Sequence, residues 1–200
     1  MTSQERLSLI KRNKDVGQNI AGKYVCLLPC ELKHSEFITQ LRNQKKSRFY
    51  LNQSIESTIE NQNIWFHKYY QSDDDIYWCI QNNYGILIGV IRLYNIIHDG
   101  SCCNQGSFII SDEYAMKEPF ALEAIILSID YAYNDLHINK IINDIRVENK
   151  KMISICKRVG FKFTNTIVND GVEFNIYELT RSNYKRCELL QILDLWKNRD

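Results

Sequence analysis

The feature that most constrains this chain is a threefold change of hydrophobic period between Gln105 and Gly160. QGSFIIS (105–111) reads as a strand, and FALEAIILSIDYAYNDL (120–136) then reads as a long helix. INKIINDIRVE (138–148) returns to strand, and NKKMISICKRVG (149–160) is a short helix that ends on glycine. Apolar residues recur at two in a strand and near 3.6 in a helix, so each switch marks an element boundary. Strands joined through a crossover helix imply a mixed sheet with some parallel pairing. Ala124, Ser128 and Ala132 lie four apart on one side of the long helix, which lets it approach a sheet closely. Gly160 stands at the C-cap, where a left-handed residue is favoured.

The remaining segments supply antiparallel strands and flanking helices. KYVCLL (23–28) is a short strand stopped by Pro29. Leu32, Phe37, Ile38 and Leu41 recur at helical spacing, and Ser47 to Asn52 reads as a connector. Ile55, Ile59, Gln62, Phe66 and Tyr69 form one face of an amphipathic helix over 54–70. The run Asp73–Asp75 reads as a solvated turn. IYWCIQ (76–81) and ILIGVIRLYNI (86–96) make a hairpin, and FKFTNTIV (161–168) and FNIYELT (174–180) make another around Asn169–Gly171. Leu189, Leu190, Ile192, Leu193 and Trp196 mark a terminal helix. The expected fold is α/β (α+β), with a mixed, mostly antiparallel central sheet of about six to seven strands flanked by helices. Residues 1–22 are expected to be a loose lead or a short extra helix, 23–181 the main domain, and 182–200 a helical extension.

Length and charge exclude several classes. A chain of 200 residues suits one domain, and 44% hydrophobic with 24% charged residues is globular usage. A formal net charge of +1 with no block of one sign does not describe a nucleic-acid binder. The seven cysteines form no CxxC pair and no zinc spacing, so free thiols in a reducing compartment are expected, and no metal. The first residues lack the apolar core of a signal peptide, and no charge-free stretch reaches membrane-spanning length. A cytoplasmic protein is expected.

The order of elements, together with Asn149-Lys-Lys-Met-Ile-Ser-Ile-Cys-Lys-Arg-Val-Gly-Phe161, resembles the GNAT superfamily over roughly residues 23–180. The branch of ribosomal-protein-alanine and nucleotide-amino-sugar N-acetyltransferases is the nearest in pattern. The resemblance implies transfer of an acetyl group from acetyl-CoA to a primary amine by direct attack on the thioester, without a metal. It also implies a splayed parallel strand pair that admits the thioester. Ile109, Ile110 and Ser111 would serve the pantetheine arm and the developing oxyanion, with a bulge at 109–111. The loop before the long helix would hold the pyrophosphate at a helix N-terminus. Here that loop is Met116-Lys117-Glu118-Pro119-Phe120-Ala121, without the glycines of the family pattern. Asn149 and Met152 would touch the cofactor, Asn149 doubling as an N-cap.

Amine attack requires a base for the amine and an acid for the sulfur. The resemblance places the base at Asp144 and the acid at Cys156, where relatives carry a tyrosine; Cys156 would also border the cofactor. Asp144 as a strand-edge acid in solvent and Cys156 as core packing stay open. For the acceptor, the segment S47-R-F-Y-L-N52 and Q62-N-I-W65-F resemble the branch acting on nucleotide-linked amino sugars used for surface glycans. Candidate acceptor contacts are Arg48, Asn52, Trp65, Trp78 and the loop residue His98. Alternative acceptors are a protein N-terminus, a polyamine or an antibiotic amine, and a non-catalytic CoA-binding module is a further alternative. A homodimer through the terminal helix is also open.

Overall fold

A computed structural model describes residues 1–15, 17–115 and 119–196. Its centre is an eight-stranded sheet in the order β1-β2-β3-β4-β5-β6-β8-β7. The strands are β1 (Ile20–Ala21), β2 (Val25–Pro29), β3 (Ile76–Asn82), β4 (Leu87–Tyr94), β5 (Cys102–Ile110), β6 (Lys140–Arg146), β7 (Lys162–Asn169) and β8 (Val172–Thr180). Every neighbouring pair is antiparallel except β5 and β6, which are parallel. The expected sheet is therefore present, with a short first strand added at one edge.

The helices are α1 (Ser3–Asp15), α2 (Ser35–Asn43), α3 (Lys45–Tyr50), α4 (Ile59–Gln71), α5 (Phe120–Asp130), α6 (Lys150–Val159) and α7 (Arg186–Trp196). They divide between the two faces because β3 is apolar on both. Ile76, Trp78 and Ile80 join the larger core with Ile10 of α1, the apolar face of α5, Ile153 and Val159 of α6, and Leu189 and Leu193 of α7. Tyr77 and Cys79 join a smaller core with Ile38 and Leu41 of α2 and Phe66 and Tyr69 of α4. Alternation along a strand, with both faces covered, produces this continuous apolar run.

Several segments differ from the sequence expectations. Of the two readings of the first residues, a loose lead or a short extra helix, the helix is present as α1: its Ile10 and Arg6 are buried, and Arg6 donates to the carbonyls of Leu136 (2.6 Å) and His98. The presumed connector after Ser47 is the end of helix α3. Helix α4 starts only at Ile59, capped by Thr58, and Ile55 is exposed. The long helix gives way to a π-turn over Tyr131–Asp135. Asp75 is not in a solvated turn; it is buried and paired to Arg92 of β4, with Arg92 Nε donating to its Oδ1 at 2.7 Å. At the other end of the chain, α7 packs against the domain, where Tyr24 donates to the Leu193 carbonyl at 3.0 Å.

Candidate active site

The site begins where β5 and β6 part. Their ladder holds for Cys102–Lys140, Cys103–Ile141 and Asn104–Ile142, then stops. The next residues, Gln105 and Asn143, are both buried. With its amide oriented to satisfy its neighbours, Asn143 Nδ2 donates to the Ile142 and Gln105 carbonyls, each at 2.9 Å. A side chain thus satisfies a strand carbonyl that the ladder abandons, as buried backbone acceptors require. Gln105 in turn donates to Ser128 of α5 at 2.8 Å, which anchors the fork to the crossover helix.

Beyond the fork, β5 bulges. Val90 opposes Ile109 while Arg92 opposes Gly106, so three steps of β5 face two of β4. The extra residue falls at Ser107–Phe108, and Ser107 takes a φ of 47°. A bulge unpairs one residue and re-aims its backbone groups. The sequence reading placed it later, at 109–111; Ser111 instead continues the bonding to β4, donating to the Ile88 carbonyl at 2.8 Å.

The divergence opens a cavity of about 370 Å³. One wall is Gln105–Ile110 of β5, and the other is Asn143–Arg146 of β6. Ala121, at the start of α5, closes it on one side, and Asn149, Met152 and Ile155 of α6 close it on another. Helix α3 covers it through Gln44, Lys46, Ser47, Tyr50 and Leu51. Both walls hold this cover: Lys46 pairs with Asp112 at 3.1 Å, and Arg146 donates to the Phe49 carbonyl at 2.9 Å. The Arg146 guanidinium also lies 3.8 Å from the centre of the Phe49 ring.

Asp144 is the carboxylate on the β6 wall. It opens toward the cleft, yet the surrounding protein crowds it enough that burial raises its pKa above the ordinary value. The Tyr94 hydroxyl donates to Asp144 Oδ1 at 3.1 Å and partly opposes that rise. Behind Tyr94 stands Arg92, its guanidinium 5.0 Å from the Tyr94 ring and 5.2 Å from the Trp65 ring.

Of the residues singled out from sequence, Asp144, Ile109, Ile110, Ala121, Asn149 and Met152 meet at this cavity. Asn149 also caps α6, its Oδ1 accepting the Met152 N–H at 3.2 Å. Ser111, Phe120 and Cys156 are not on the lining. Phe120 is core, Pro119 is the N-cap position of α5, and Cys156 is buried beneath the fork, where burial pushes its thiol up to about 12. Met116, Lys117 and Glu118 lie outside the described residues.

None of the candidate acceptor contacts reaches the cavity. Trp78 points to the opposite face of β3, packed edge-on against Tyr131 at 5.3 Å. Arg48 turns back to Glu56 (2.8 Å) and the Ser54 carbonyl. Asn52 lies just past α3, in the turn, with a positive φ of 52°. Trp65 stacks on Tyr69 at 5.1 Å. His98 lies in the loop before β5, at the paired end of the strand, with its ring 2.9 Å from the Asp73 carbonyl. Sequence reasoning missed Gly106, Ser107 and Asn143, and it took the Ser47–Asn52 segment for a connector rather than a helix over the cleft; the glycine inside a strand was the available signal, since it marks a bulge or a close approach.

Comparison with known proteins agrees with this geometry. The Acetyltransferase (GNAT) domain family matches residues 25–162. A GCN5-related N-acetyltransferase from Brucella melitensis has a similar structure (TM-score 0.72, 20% identity, 90% of this chain and 85% of that one). So does spermidine N-acetyltransferase from Vibrio cholerae, solved with CoA and spermine (TM-score 0.75, 20% identity, 82% of this chain and 99% of that one). The apo form of FdhC, a nucleotide-linked sugar GNAT, is a third (TM-score 0.71, 22% identity, 88% of this chain and 97% of that one). No curated protein matches the chain by sequence. With the family matched over more than half its length and the forked sheet in place, this chain belongs to the GNAT acetyltransferases.

Proposed function

We propose that the chain transfers an acetyl group from acetyl-CoA to the primary amine of a small polar acceptor, best matched by an amino sugar carried on a nucleotide. The observation that carries the chemistry is Asp144, with its raised pKa, facing the bulge of β5 across the fork where β5 and β6 no longer pair. The cleft fits an extended amide-bearing arm, because beyond Asn104 the two parallel strands no longer pair with each other. When bound there, acetyl-CoA supplies the thioester carbon. The chain does the rest. Asp144 accepts the proton that the amine must shed, a task suited to a carboxylate drawn toward neutrality by burial. Ser107 and Phe108 at the bulge offer backbone N–H groups for charge developing on the carbonyl oxygen. Helix α3 covers the cleft on one side. Cys156 receives no proton-transfer role, because its buried thiol is a weaker acid than an alkyl thiol of about 8.5.

The charge of the lining supports one class of acceptor over another. The described lining carries three cations, Lys46, Arg146 and Lys151, against two carboxylates, Asp112 and Asp144. An oligocation such as a polyamine gains little there, whereas a phosphate-bearing sugar with hydroxyls meets cations and the neutral groups of Gln44, Ser47 and Tyr50. The experiment is thiol release from acetyl-CoA with nucleotide-linked amino sugars, polyamines, aminoglycosides and peptides. Turnover confined to amino sugars supports the reading. Turnover confined to polyamines or peptides overturns the acceptor, and silence with every amine overturns the catalytic assignment.

A further inference from the structure

We propose that Tyr94 is a positioning residue for this acetyl transfer: it reaches from β4 across Gly106 of β5 to hold the Asp144 carboxylate of β6 in the cleft. The inference rests on the proton-accepting role of Asp144 given above. Three strands take part. Arg92 and Gly106 are direct cross-strand partners, and Tyr94 opposes Asn104, so the Tyr94 ring crosses β5 at the glycine. A Cβ at Gly106 would lie 3.1 Å from Tyr94 Cε1 and 3.2 Å from its hydroxyl oxygen. Those distances are tighter than ordinary carbon contacts of about 3.5–4.0 Å, so any side chain there displaces the ring. Glycine at this strand position is therefore what lets an aromatic lie flat on the sheet and span to the next strand.

The far side of Tyr94 is equally constrained. The Arg92 guanidinium lies near both the Tyr94 and Trp65 rings and is gripped by buried Asp75, just before β3. The cross-strand partner of Asp144 on β8 is Ile176, which offers its carboxylate no donor. Tyr94 thus supplies what the β6–β8 ladder cannot, a directional hydrogen bond at 3.1 Å that fixes which way the carboxylate faces. Because the hydroxyl donates, it favours the ionised form and offsets the burial that raises the carboxyl.

Among the described residues, the other charged groups around Asp144 are Arg92 behind Tyr94, Arg146 with Glu148 after it, the Lys140–Glu178 pair on β6 and β8, Lys46 on α3 with Asp112, and Lys151 on α6. Replacing Tyr94 by phenylalanine leaves all of these, and the ring beside Arg92, in place. It removes one hydroxyl only. That isolates the hydrogen bond from the packing.

The test is a ¹³C NMR titration of the Asp144 carboxyl in the substrate-free full chain, assigned with Asp144→Asn, in wild type, Tyr94→Phe and Gly106→Ala. The expected result is a higher Asp144 pKa in both variants. In thiol-release kinetics the acid limb should move up with it, with kcat falling about tenfold and KM little changed, as expected for lost orientation. An unmoved Asp144 titration in Tyr94→Phe overturns the proposal, even if kcat falls, because the loss would then come from cleft shape. A shifted titration in a protein that acetylates no amine leaves the Tyr94–Asp144 coupling standing and overturns the acetyl-transfer reading instead.

Discussion

The carboxylate of Glu123, inside α5, accepts the backbone N–H of Tyr24 at 2.6 Å. It also takes the N–H groups of Lys23 and Val25, each at 2.8 Å. Three successive donors at the start of β2 are thus satisfied by one buried side chain of the crossover helix. Gly22 completes the arrangement, since a Cβ there would lie 2.6 Å from the Glu123 carboxyl carbon. Glu123→Gln keeps the shape but turns an NH₂ toward these donors. It should cost about 2–4 kcal/mol, because donors are left buried without an acceptor. Urea unfolding should show a lower midpoint at an unchanged slope; an unchanged midpoint would refute the account.

Asp75 and Arg92 make a second test. The Asp75 side chain is nearly inaccessible, and Arg92 keeps 23% of its surface. Asp75→Asn removes one member of a largely buried pair and leaves the other charged. The expected loss is about 2–3 kcal/mol, below that of a fully buried pair because Arg92 retains some water. A thermal melt reads the stability loss. The same variant should reduce turnover through Tyr94, which leans on Arg92.

Asp144→Asn should lower kcat by about 10²–10⁴-fold while acetyl-CoA affinity holds, the range expected for loss of a positioned base. Its stability should change in the opposite direction. Burial raises the folded-state pKa of Asp144, so between its unfolded and folded pKa values the folded chain binds the extra proton. Stability contributed by this group therefore falls as pH rises through that window and stays low above it. Asn has no such penalty, so the variant should be the more stable protein at neutral pH, with its advantage gone at acid pH. Urea titrations at both pH values check the sign.

Gly160 and Gly171 both have positive φ, 113° and 74°, but differ in their surroundings. A Cβ on Gly160 would collide with the Asn183 carbonyl, while one on Gly171 meets open space. Gly160→Ala should therefore cost about 2–3 kcal/mol and Gly171→Ala about 1 kcal/mol. Equal melting temperatures for the two variants would show that the close approach at Gly160 contributes nothing.

What could be read from sequence was what local rules govern. Asn149 and Gly160 bound α6 because one side chain caps a helix start and one residue tolerates the left-handed end. The crossover helix and its flanking strands followed from period alone. Trp78 was misplaced because a strand buried on both faces has no polar side to orient it. Helix α3 was missed because six mostly polar residues show no repeat. Asp144 reached the cavity as the resemblance implied, but Tyr94, Gly106 and Asn143 become part of the site only through strand register, which no short window of sequence contains.

The brevity of the β5–β6 ladder has a mechanical meaning. Five strands on one side and three on the other are stitched by three residue pairs, with Asn143 at the last stitch. The sheet is a pair of half-sheets sharing a narrow waist, and the cavity of the proposed acetyl-transfer site opens beside that waist. Any ligand bound in that seam would act as a temporary strand, so tightness of binding and resistance to being pulled apart would become a single quantity.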